Sequence, residues 1–307
     1  MREFSRFAGR IQADSGAERG RRGNTFGEVP VAAEEGICYT RAVKDKDCTV
    51  LVTSCDGYSD VAAPFIVLFR RYWPDCPFET VLLTETVAPP AGDAAFDRVI
   101  ATGKGKCWCE MLAEALEQIS TPYIILQMDD FYFSTRVDTA NILRRLAQAK
   151  EFDAANLRLV PLPPGRTPFP GTDLREMPKD VAYCVTCQTG IWNREFLLGL
   201  ARRNKSAWEF ERYGSFMVGD ERRVLLVTPS KEYPVLDTVH KGYWEPCGVR
   251  VLKENGIPYD FSRRGQPPLP VRVKEGLKKL VFAIFPWTLI VRVQNVFNAG
   301  MKEKRKE

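Results

Sequence analysis

The chain has 307 residues, of which 45% are hydrophobic and 27% charged, and its 44 Lys and Arg outnumber its 39 Asp and Glu by five. This composition excludes a wholly disordered chain, a collagen and a coiled coil, and the small net charge argues against a dedicated nucleic-acid-binding protein. The length suits one large α/β domain or two small ones. The odd number of cysteines, nine, lacks the spacing of a small disulfide-bonded domain and favours a reducing, cytoplasmic compartment.

The first 36 residues differ in composition from the rest of the chain. They are rich in Gly, Arg, Ala and Glu, have few large apolar side chains and show no periodicity. They contain no apolar segment of the kind that marks a secretory signal. We therefore expect residues 1–36 to be a flexible leader outside the folded domain.

Short apolar strands alternate with helical patterns in the first half of the domain. Apolar and β-branched runs predict strands at residues 49–53, 79–84, 98–102 and 123–128. Apolar residues at helical spacing predict helices at residues 61–72, 110–119 and 137–150. This alternation predicts an α/β fold with a mostly parallel central sheet and helices on both faces. Ligands of such sheets bind beyond the carboxyl ends of the strands, where Asp56, Asp129 and Asp130 follow two of the predicted strands.

The second half of the domain carries weaker signals. Six prolines between residues 161 and 178 predict an irregular loop over the site. Residues 181–192 have the character of a strand, and residues 194–203 that of a helix. Two pairs of cysteines suggest a zinc knuckle: Cys107 with Cys109, and Cys184 with Cys187. The spacing of the first pair and the apolar surroundings of the second favour buried thiols instead.

Two adjacent carboxylates, Asp129 and Asp130, end the buried strand at residues 123–128. Burial of carboxylates is unfavourable unless a positive charge offsets it, and a Mg²⁺ or Mn²⁺ ion held there would keep positions open for phosphate oxygens. The alternative is an acidic turn or helix start without a ligand. No Walker loop and no glycine-rich dinucleotide-binding motif accompanies the pair, which disfavours a kinase, an ATPase and a dinucleotide-binding fold.

Two further carboxylates, Glu209 and Glu211, lie among aromatic residues that include Trp208 and Tyr213. Acids beside aromatic rings are frequent in sugar-binding sites, because a ring covers the apolar face of a sugar while the acids bind its hydroxyls. Apolar surroundings also raise the pKa of a carboxyl towards that of a general base. The alternative is an amphipathic turn with solvated acids.

Two more clusters combine polar and aromatic side chains. Gln188 and Trp192 flank Gly190, which permits close approach of a ligand to the backbone, although Trp192 could instead belong to the core. His240, the single histidine, stands beside Lys241. This pair suits a diphosphate, with His240 as a metal ligand or hydrogen-bond donor and Lys241 as a positive charge.

In this order, the motifs resemble those of the bacterial GT-A-fold glycosyltransferases of surface-polysaccharide (capsule or O-antigen) biosynthesis. The resemblance covers about residues 49–259 and rests on residues 53–56, Trp108, residues 123–131, residues 188–192, residues 207–211 and residues 240–244. It implies a GT-A-like fold and a nucleotide-sugar donor. Thr53, Ser54 and Asp56 would contact the nucleobase and ribose.

The resemblance also implies roles for the acidic residues. Asp129 and Asp130 would hold a divalent cation on the diphosphate, His240 and Lys241 would complete the phosphate site, and Glu209 or Glu211 would deprotonate the acceptor hydroxyl. The remaining predicted substrate-binding residues are Trp108, Gln188, Trp192 and Trp208. One departure from the family pattern is that Met128 precedes the two aspartates, where the usual motif is Asp-x-Asp.

The C-terminal segment is apolar and basic. Residues 271–307 contain nine Lys and Arg against three Glu, whereas residues 1–270 carry a net charge of only −1. The longest uncharged stretch, residues 280–291, has 12 residues, fewer than the about 20 that a membrane-spanning helix needs. We expect an amphipathic helical tail that associates with the anionic inner face of a membrane; the alternative is a C-terminal helix packed on the domain.

These observations predict a leader at residues 1–36, a transferase domain at 37–265, and a linker and tail at 266–307. The predicted function is transfer of a sugar from a nucleotide-sugar to a saccharide or a lipid-linked saccharide in cell-surface polysaccharide synthesis. A sugar nucleotidyltransferase is an alternative, which the lack of a glycine-rich phosphate loop after the first strand disfavours. A non-catalytic, membrane-associated assembly protein is another, which the presence of both carboxylate sets disfavours.

Overall fold

The computed structural model describes residues 44–86, 95–179 and 181–271. The predicted leader lies outside the described residues, as does most of the predicted tail. The elements are, in chain order, β1 (Cys48–Thr53), α1 (Ser59–Tyr72), β2 (Glu79–Thr84), β3 (Arg98–Ala101), α2 (Trp108–Glu117), β4 (Tyr123–Met128), β5 (Phe131–Phe133), α3 (Thr139–Glu151), β6 (Asn156–Arg158), β7 (Thr167–Pro168), β8 (Arg175–Glu176), β9 (Gly190–Asn193), α4 (Arg194–Ala201), α5 (Ala207–Gly214), β10 (Leu225–Val227), β11 (Val235–Asp237), β12 (Val239–His240), β13 (Tyr243–Trp244) and α6 (Pro246–Glu254). A 3-10 turn, Asp56–Tyr58, precedes α1.

A nine-stranded sheet with the order β3-β2-β1-β4-β9-β6-β10-β8-β7 forms the centre of the fold. The half made of β3, β2, β1 and β4 is parallel, as predicted. Strand β9 lies antiparallel between β4 and β6, and β8 and β7 add antiparallel pairs at the other edge. The sheet is therefore mixed rather than mostly parallel.

A side chain at Gly190 would collide with the neighbouring strand, since a Cβ there would lie 3.0 Å from the carbonyl of Leu157.

Helices cover both faces of the sheet, which confirms the predicted layering. Successive residues of β1 point to opposite faces, so Val50 and Val52 pack with α1, α3 and α6, while Leu51 packs with α2, α4 and α5. Every residue of β1 is buried. This burial on both faces explains why the strand reads as a continuous apolar run.

Local hydrogen bonds fix where three of the helices begin. The side chains of Asp138, Asn193 and Ser206 accept hydrogen bonds from backbone N–H groups in the first turns of α3, α4 and α5. Such caps stabilise a helix by about 1 kcal/mol each, because they satisfy N–H groups that lack a partner in the helix. The N–H group that Ser206 caps in α5 belongs to Glu209, one of the two predicted catalytic residues.

Two predicted elements of the second half differ from the structure. The proline-rich stretch, predicted as one irregular loop, contains the short strands β7 and β8, and β8 pairs with β10 near the far edge of the sheet. Of the predicted strand at 181–192, only the last part is β9. Its apolar residues are buried in an irregular loop instead, where Val185 exchanges hydrogen bonds with the hydroxyl of Ser215.

Two small two-stranded sheets complete the part of the fold beside β4. Strand β11 pairs antiparallel with β5, and β12 forms a hairpin with β13. Because only two residues separate β4 from β5, and Thr238 between β11 and β12 bonds to one of them, Asp130, both small sheets lie next to the carboxyl end of β4. No helix within the described ranges is long and apolar enough to cross a membrane.

Candidate functional site

Asp129 and Asp130 form the tight connection between β4 and β5. The N–H of Asp129 donates to the carbonyl of Thr53 at the end of β1 (3.3 Å). The carbonyl of Asp130 accepts hydrogen bonds from the N–H (2.9 Å) and the hydroxyl (2.6 Å) of Thr238. The backbone of this aspartate pair is therefore fixed from two sides, at the carboxyl edge of the parallel half of the sheet.

One carboxyl oxygen of each aspartate is buried without a hydrogen-bond partner among the described residues: Oδ2 of Asp129 and Oδ1 of Asp130. Burial raises the pKa of Asp129, while a hydrogen bond from Ser54 and the charge of Arg264 oppose the rise. Burial raises the pKa of Asp130 as well, and the charges of Asp129 and Asp237 add to that rise. Two adjacent, desolvated carboxyls with unsatisfied oxygens are the donor set that a divalent cation would satisfy.

The predicted third metal ligand, His240, does not join this pair. Within the described ranges, no three His, Cys, Asp or Glu side chains are grouped so that they could hold a metal ion. This corrects the predicted set of Asp129, Asp130 and His240. Since Mg²⁺ and Mn²⁺ can be bound by one or two carboxylates together with waters and phosphate oxygens, the aspartate pair alone fits such a cation.

Arg264 lies beside the aspartate pair, although nothing in the sequence pattern marks it. Its guanidinium pairs with Asp60 (3.2 Å), donates to the carbonyls of Gly57 and Gly242 (both 3.1 Å) and lies 4.2 Å from the centroid of the Tyr58 ring. Its side chain is only 7% exposed. Arg264 thereby holds the start of α1 and the β12–β13 turn together, and it places a positive charge near both aspartates.

The predicted nucleotide-binding residues after β1 have structural partners. The hydroxyl of Thr53 is buried and donates to Sδ of Met128 (3.2 Å). The carboxylate of Asp56 accepts hydrogen bonds from the N–H (2.9 Å) and hydroxyl (2.5 Å) of Thr86. Thr53 therefore packs inside the sheet, and Asp56 ties the loop after β2 to the end of β1. Thr53 contacts the aspartate pair through its carbonyl, and Ser54 does so through its side chain.

The two predicted catalytic glutamates have different environments on α5. Glu209 belongs to the cap of the helix, since its N–H donates to the hydroxyl of Ser206 (3.1 Å) and its Oε2 accepts from the N–H of Lys205 (3.1 Å). Oε1 of Glu211 accepts a hydrogen bond from the N–H of Cys187 (2.7 Å). Glu211 therefore faces the irregular loop before β9, whereas Glu209 faces the helix start.

Cys187 links Glu211 to the aspartate pair. Burial raises the pKa of its thiol, and the charges of Glu211 and Asp130 both add to that rise. The charges of Glu211 and Asp130 thus act on the same buried thiol, whereas that of Glu209 acts on the thiol of Cys109.

Two of the predicted substrate-binding tryptophans pack in or against the core: Trp192 is buried, and Trp108 is partly buried. Trp192 is 1% exposed and packs between Phe196 and Phe210, with ring centroids 6.2 and 5.8 Å away. This corrects the prediction that it stacks on a ligand, and its alternative as a core residue agrees with the structure. Trp108 packs edge-on against Phe210 at 5.4 Å, and its Nε1 is buried without a hydrogen-bond partner among the described residues.

Trp208, by contrast, is 57% exposed on α5. The guanidinium of Arg212 lies 4.8 Å from the centroid of its ring, and the ring of Tyr213 meets it edge-on at 6.2 Å. Residues three and four apart are neighbours on a helix surface, so Trp208, Glu211 and Arg212 share one face of α5. An exposed ring beside a carboxylate is the arrangement that suits a saccharide.

The remaining predicted residues lie in turns near the site. The N–H of Gln188 donates to the hydroxyl of Thr186 (3.0 Å), and the side chain of Gln188 is partly exposed. Lys241 is exposed and adopts the left-handed backbone conformation (φ +52°) in the β12–β13 turn. The preceding residue, His240, is partly exposed.

The chain matches no protein-family model, and no curated protein matches it in sequence. It is similar in shape to a cytidylyltransferase from Leptospira borgpetersenii serovar Hardjo-bovis (10% identity, TM-score 0.42, covering 73% of this chain and 99% of that chain). It is also similar to the mannosyltransferase PcManGT from Pyrobaculum calidifontis in complex with GDP-Man and Mn²⁺ (13%, 0.41, 64% and 58%), and to TarS from S. aureus in complex with UDP-GlcNAc (14%, 0.41, 64% and 60%). The aligned region thus spans less than two thirds of the last two chains. Likenesses this distant assign neither a fold family nor an activity, so the function is argued from the site itself.

Proposed function

We propose that the protein is a glycosyltransferase that moves a sugar from a nucleotide-sugar to a hydroxyl of a saccharide. The observation that carries the proposal is the aspartate pair, whose two unsatisfied, buried carboxyl oxygens lie at the carboxyl edge of the parallel strands. Small phosphate-bearing ligands bind at this edge in α/β sheets. Glu211 accepts a hydrogen bond from the N–H of Cys187, and the charges of Glu211 and Asp130 both raise the pKa of that residue's thiol.

Asp129 and Asp130 would hold the divalent cation, Mn²⁺ or Mg²⁺, that the donor diphosphate requires. The bound cation supplies positive charge that stabilises the leaving nucleotide diphosphate. Ser54 and the backbone contacts of Thr53 and Thr238 keep the two carboxyls in place. Lys241, in the β12–β13 turn, adds a positive charge for the phosphates.

Glu211 is the general base of the proposed reaction. Its carboxylate takes the proton of the acceptor hydroxyl as the acceptor oxygen forms a bond to the anomeric carbon. The bond from that carbon to the diphosphate oxygen breaks, and its electron pair leaves with the nucleotide diphosphate. This single displacement inverts the anomeric configuration. We favour Glu211 over Glu209, because Oε2 of Glu209 is bound at the start of α5.

A matched pair of variants tests this assignment. Glu211→Gln keeps the shape and the hydrogen bond from Cys187 but removes the base, so we expect transfer to fall by about a hundredfold or more. Glu209→Gln changes the same residue type on the same helix, and we expect transfer within about threefold of the wild type. The measurement is release of the nucleotide diphosphate from UDP- and GDP-sugars in the presence of Mn²⁺. Equal losses in both variants would contradict the assignment of Glu211.

The proposal also covers the acceptor and the place in the cell where the transfer occurs. A lipid-linked saccharide at an anionic inner membrane, in cell-surface polysaccharide synthesis, would combine the exposed Trp208 with the basic C-terminal segment. Deletion of residues 277–307 should then shift the protein from the membrane to the soluble fraction of the cell. An unchanged distribution would remove membrane association from the proposal and leave the transferase activity in place.

A further inference from the structure

The hairpin of β12 and β13 is short and is joined at its base to the aspartate pair. Each strand has two residues, and within the described ranges neither pairs with a strand outside the hairpin. A lone hairpin is only marginally stable, so contacts outside it must fix its position. At the base, Thr238 precedes β12 and donates its N–H (2.9 Å) and hydroxyl (2.6 Å) to the carbonyl of Asp130.

Arg264 and Gly265 hold the other end of the hairpin. Nη1 of Arg264 donates to the carbonyl of Gly242 in the turn (3.1 Å), and Nη2 donates to the carbonyl of Gly57, after β1 (3.1 Å). The carbonyl of Gly265 accepts a hydrogen bond from the N–H of Trp244 (3.0 Å). Since β1 and β4 are neighbours in the sheet, the hairpin connects the chain after β4 to the chain after β1, across the carboxyl edge.

The guanidinium of Arg264 is occupied by these structural contacts. It also donates to the carboxylate of Asp60 through Nε (3.2 Å) and Nη2 (3.3 Å), and it lies over the ring of Tyr58. A planar guanidinium can donate in fixed directions to two carbonyls and a carboxylate at once, whereas an ammonium group is a point charge. A lysine at this position would therefore keep the charge beside Asp60 but lose the joint contact with Gly57 and Gly242.

The turn that Arg264 holds contains a strained lysine. Both central residues are left-handed, Lys241 with φ +52° and Gly242 with φ +80°, as in the type I′ turns of short hairpins. Asparagine, aspartate and glycine are preferred at the first of these positions, because they adopt this conformation most readily. Backbone strain at other residues is concentrated at functional sites, and the side chain of Lys241 is exposed.

We propose that Arg264 is a positioning residue that holds the β12–β13 turn so that the ammonium group of Lys241 meets the diphosphate of the nucleotide-sugar. This inference rests on the proposed transferase function and adds to it a residue that touches neither the donor nor the cation. Because the turn is fixed before the donor arrives, less freedom of the turn is lost on binding, and the affinity for the diphosphate is higher.

A double-mutant cycle tests whether Arg264 acts through Lys241. The full chain is titrated by calorimetry in Mn²⁺ with UDP, GDP, CDP and dTDP, and the cycle uses whichever of them binds the wild type. We expect Lys241→Asn and Arg264→Lys each to weaken binding by about tenfold, and the double variant to bind within about twofold of Lys241→Asn. Losses that multiply to about a hundredfold would overturn the inference, as would wild-type affinity in either single variant.

Melting temperatures separate positioning from a general loss of stability. Asparagine suits the left-handed turn better than lysine, so Lys241→Asn should keep or raise the melting temperature while it weakens binding. Arg145→Lys is the matched control for Arg264→Lys, because Arg145 is also a buried arginine with carboxylate partners, in α3. It should lower the melting temperature without changing the affinity for the diphosphate. An equal loss of affinity in Arg145→Lys would overturn the inference, because reduced stability would then explain the effect of Arg264→Lys.

Turnover gives a second readout of positioning. Arg264→Lys should raise KM for the nucleotide-sugar by about tenfold and keep kcat within about threefold of the wild type, because the aspartates and Glu211 are unchanged. A kcat that falls while KM stays the same would overturn the inference. A wild type that binds none of the four nucleotides in Mn²⁺ would instead refute the proposed function, and this inference with it.

Discussion

The aspartate pair, of which Asp129 is buried and Asp130 partly buried, makes an unfavourable local contribution to the free energy of folding. Asp129 is 3% exposed, each aspartate has an oxygen without a hydrogen-bond partner among the described residues, and burial raises the pKa of both. The positive charge of Arg264 lowers the pKa of both carboxyls, but it offsets the effect of burial only in part. A fold keeps such an arrangement where a cation is to be bound, because the free energy of cation binding then includes relief of the repulsion.

Removing one of these carboxylates is therefore expected to raise the stability of the protein and to lower its activity. Asp130→Asn removes one buried charge without changing the volume, so it should stabilise the metal-free protein by on the order of 1–3 kcal/mol and abolish sugar transfer. The measurement is thermal unfolding in the presence of EDTA, together with nucleotide release in Mn²⁺. Asp220→Asn, at an exposed position, is the control and should change neither. A destabilised Asp130→Asn variant would show that the carboxyl is needed for the fold.

At the scale of elements, segments that are distant in the chain assemble the site. The β4–β5 connection carries the aspartates, the segment before β12 holds their backbone through Thr238, and α5 with the 183–187 loop presents Glu211. Arg264 closes the arrangement from beyond α6. These contacts involve loops, turns and the helix α5 rather than pairs of strands, so the sheet positions the segments that carry the polar side chains.

A second arginine holds α3 in place in a similar way. Arg145 is fully buried and bonds to Asp173 (2.6 and 2.7 Å) and to Glu232 (2.7 and 2.5 Å). The hydrogen bonds of Arg145 lower the pKa of Asp173 to about 2. An acid whose pKa is lower in the folded protein stabilises the fold above its unfolded pKa, and the stabilisation is lost as the pH falls towards the folded pKa.

We therefore expect the pair of Arg145 and Asp173 to contribute to acid sensitivity. Asp173→Asn should be less stable than the wild type at about pH 6, and the difference should shrink as the pH falls from about 4 towards about 2. Urea unfolding at a series of pH values measures this. Asp138→Asn keeps a capping side chain at the start of α3 and serves as a control on the same helix. A difference that grows at low pH would contradict the assigned role of Asp173.

At the scale of the whole molecule, the sequence predicted the parallel half of the sheet and the layers of helices. Strands β1, β2 and β4 are recognisable because they are buried on both faces and end at turn residues. The antiparallel insertion of β9 could not be predicted, since strand pairing over long sequence separations leaves no local signal. The 181–189 segment was misassigned for a related reason: residues buried in an irregular loop are as apolar as those of a strand.

The sequence allowed us to predict which types of residue form the site, but not how they are arranged in space. Adjacent aspartates after a strand identified the aspartate pair, but the different hydrogen bonds of Glu209 and Glu211 depend on how α5 begins and on the loop beside it. The place of Trp192 in the core depends on its packing, because an aromatic residue at a strand end suits a core and a ligand equally. Arg264 had no sequence signal, since its place beside the aspartates comes from contacts of the folded chain.

The central claim is that the aspartate pair binds a nucleotide-sugar through a divalent cation. The most direct measurement is the melting temperature of the full chain with UDP-, GDP-, CMP- and dTDP-sugars, with and without Mn²⁺, for the wild type and for Asp130→Ala. We expect one nucleotide class to raise the melting temperature of the wild type by several degrees only when Mn²⁺ is present, because a ligand that binds the folded state stabilises it, and we expect Asp130→Ala to lose that shift. No shift with any nucleotide, or an equal shift in Asp130→Ala, would contradict the claim.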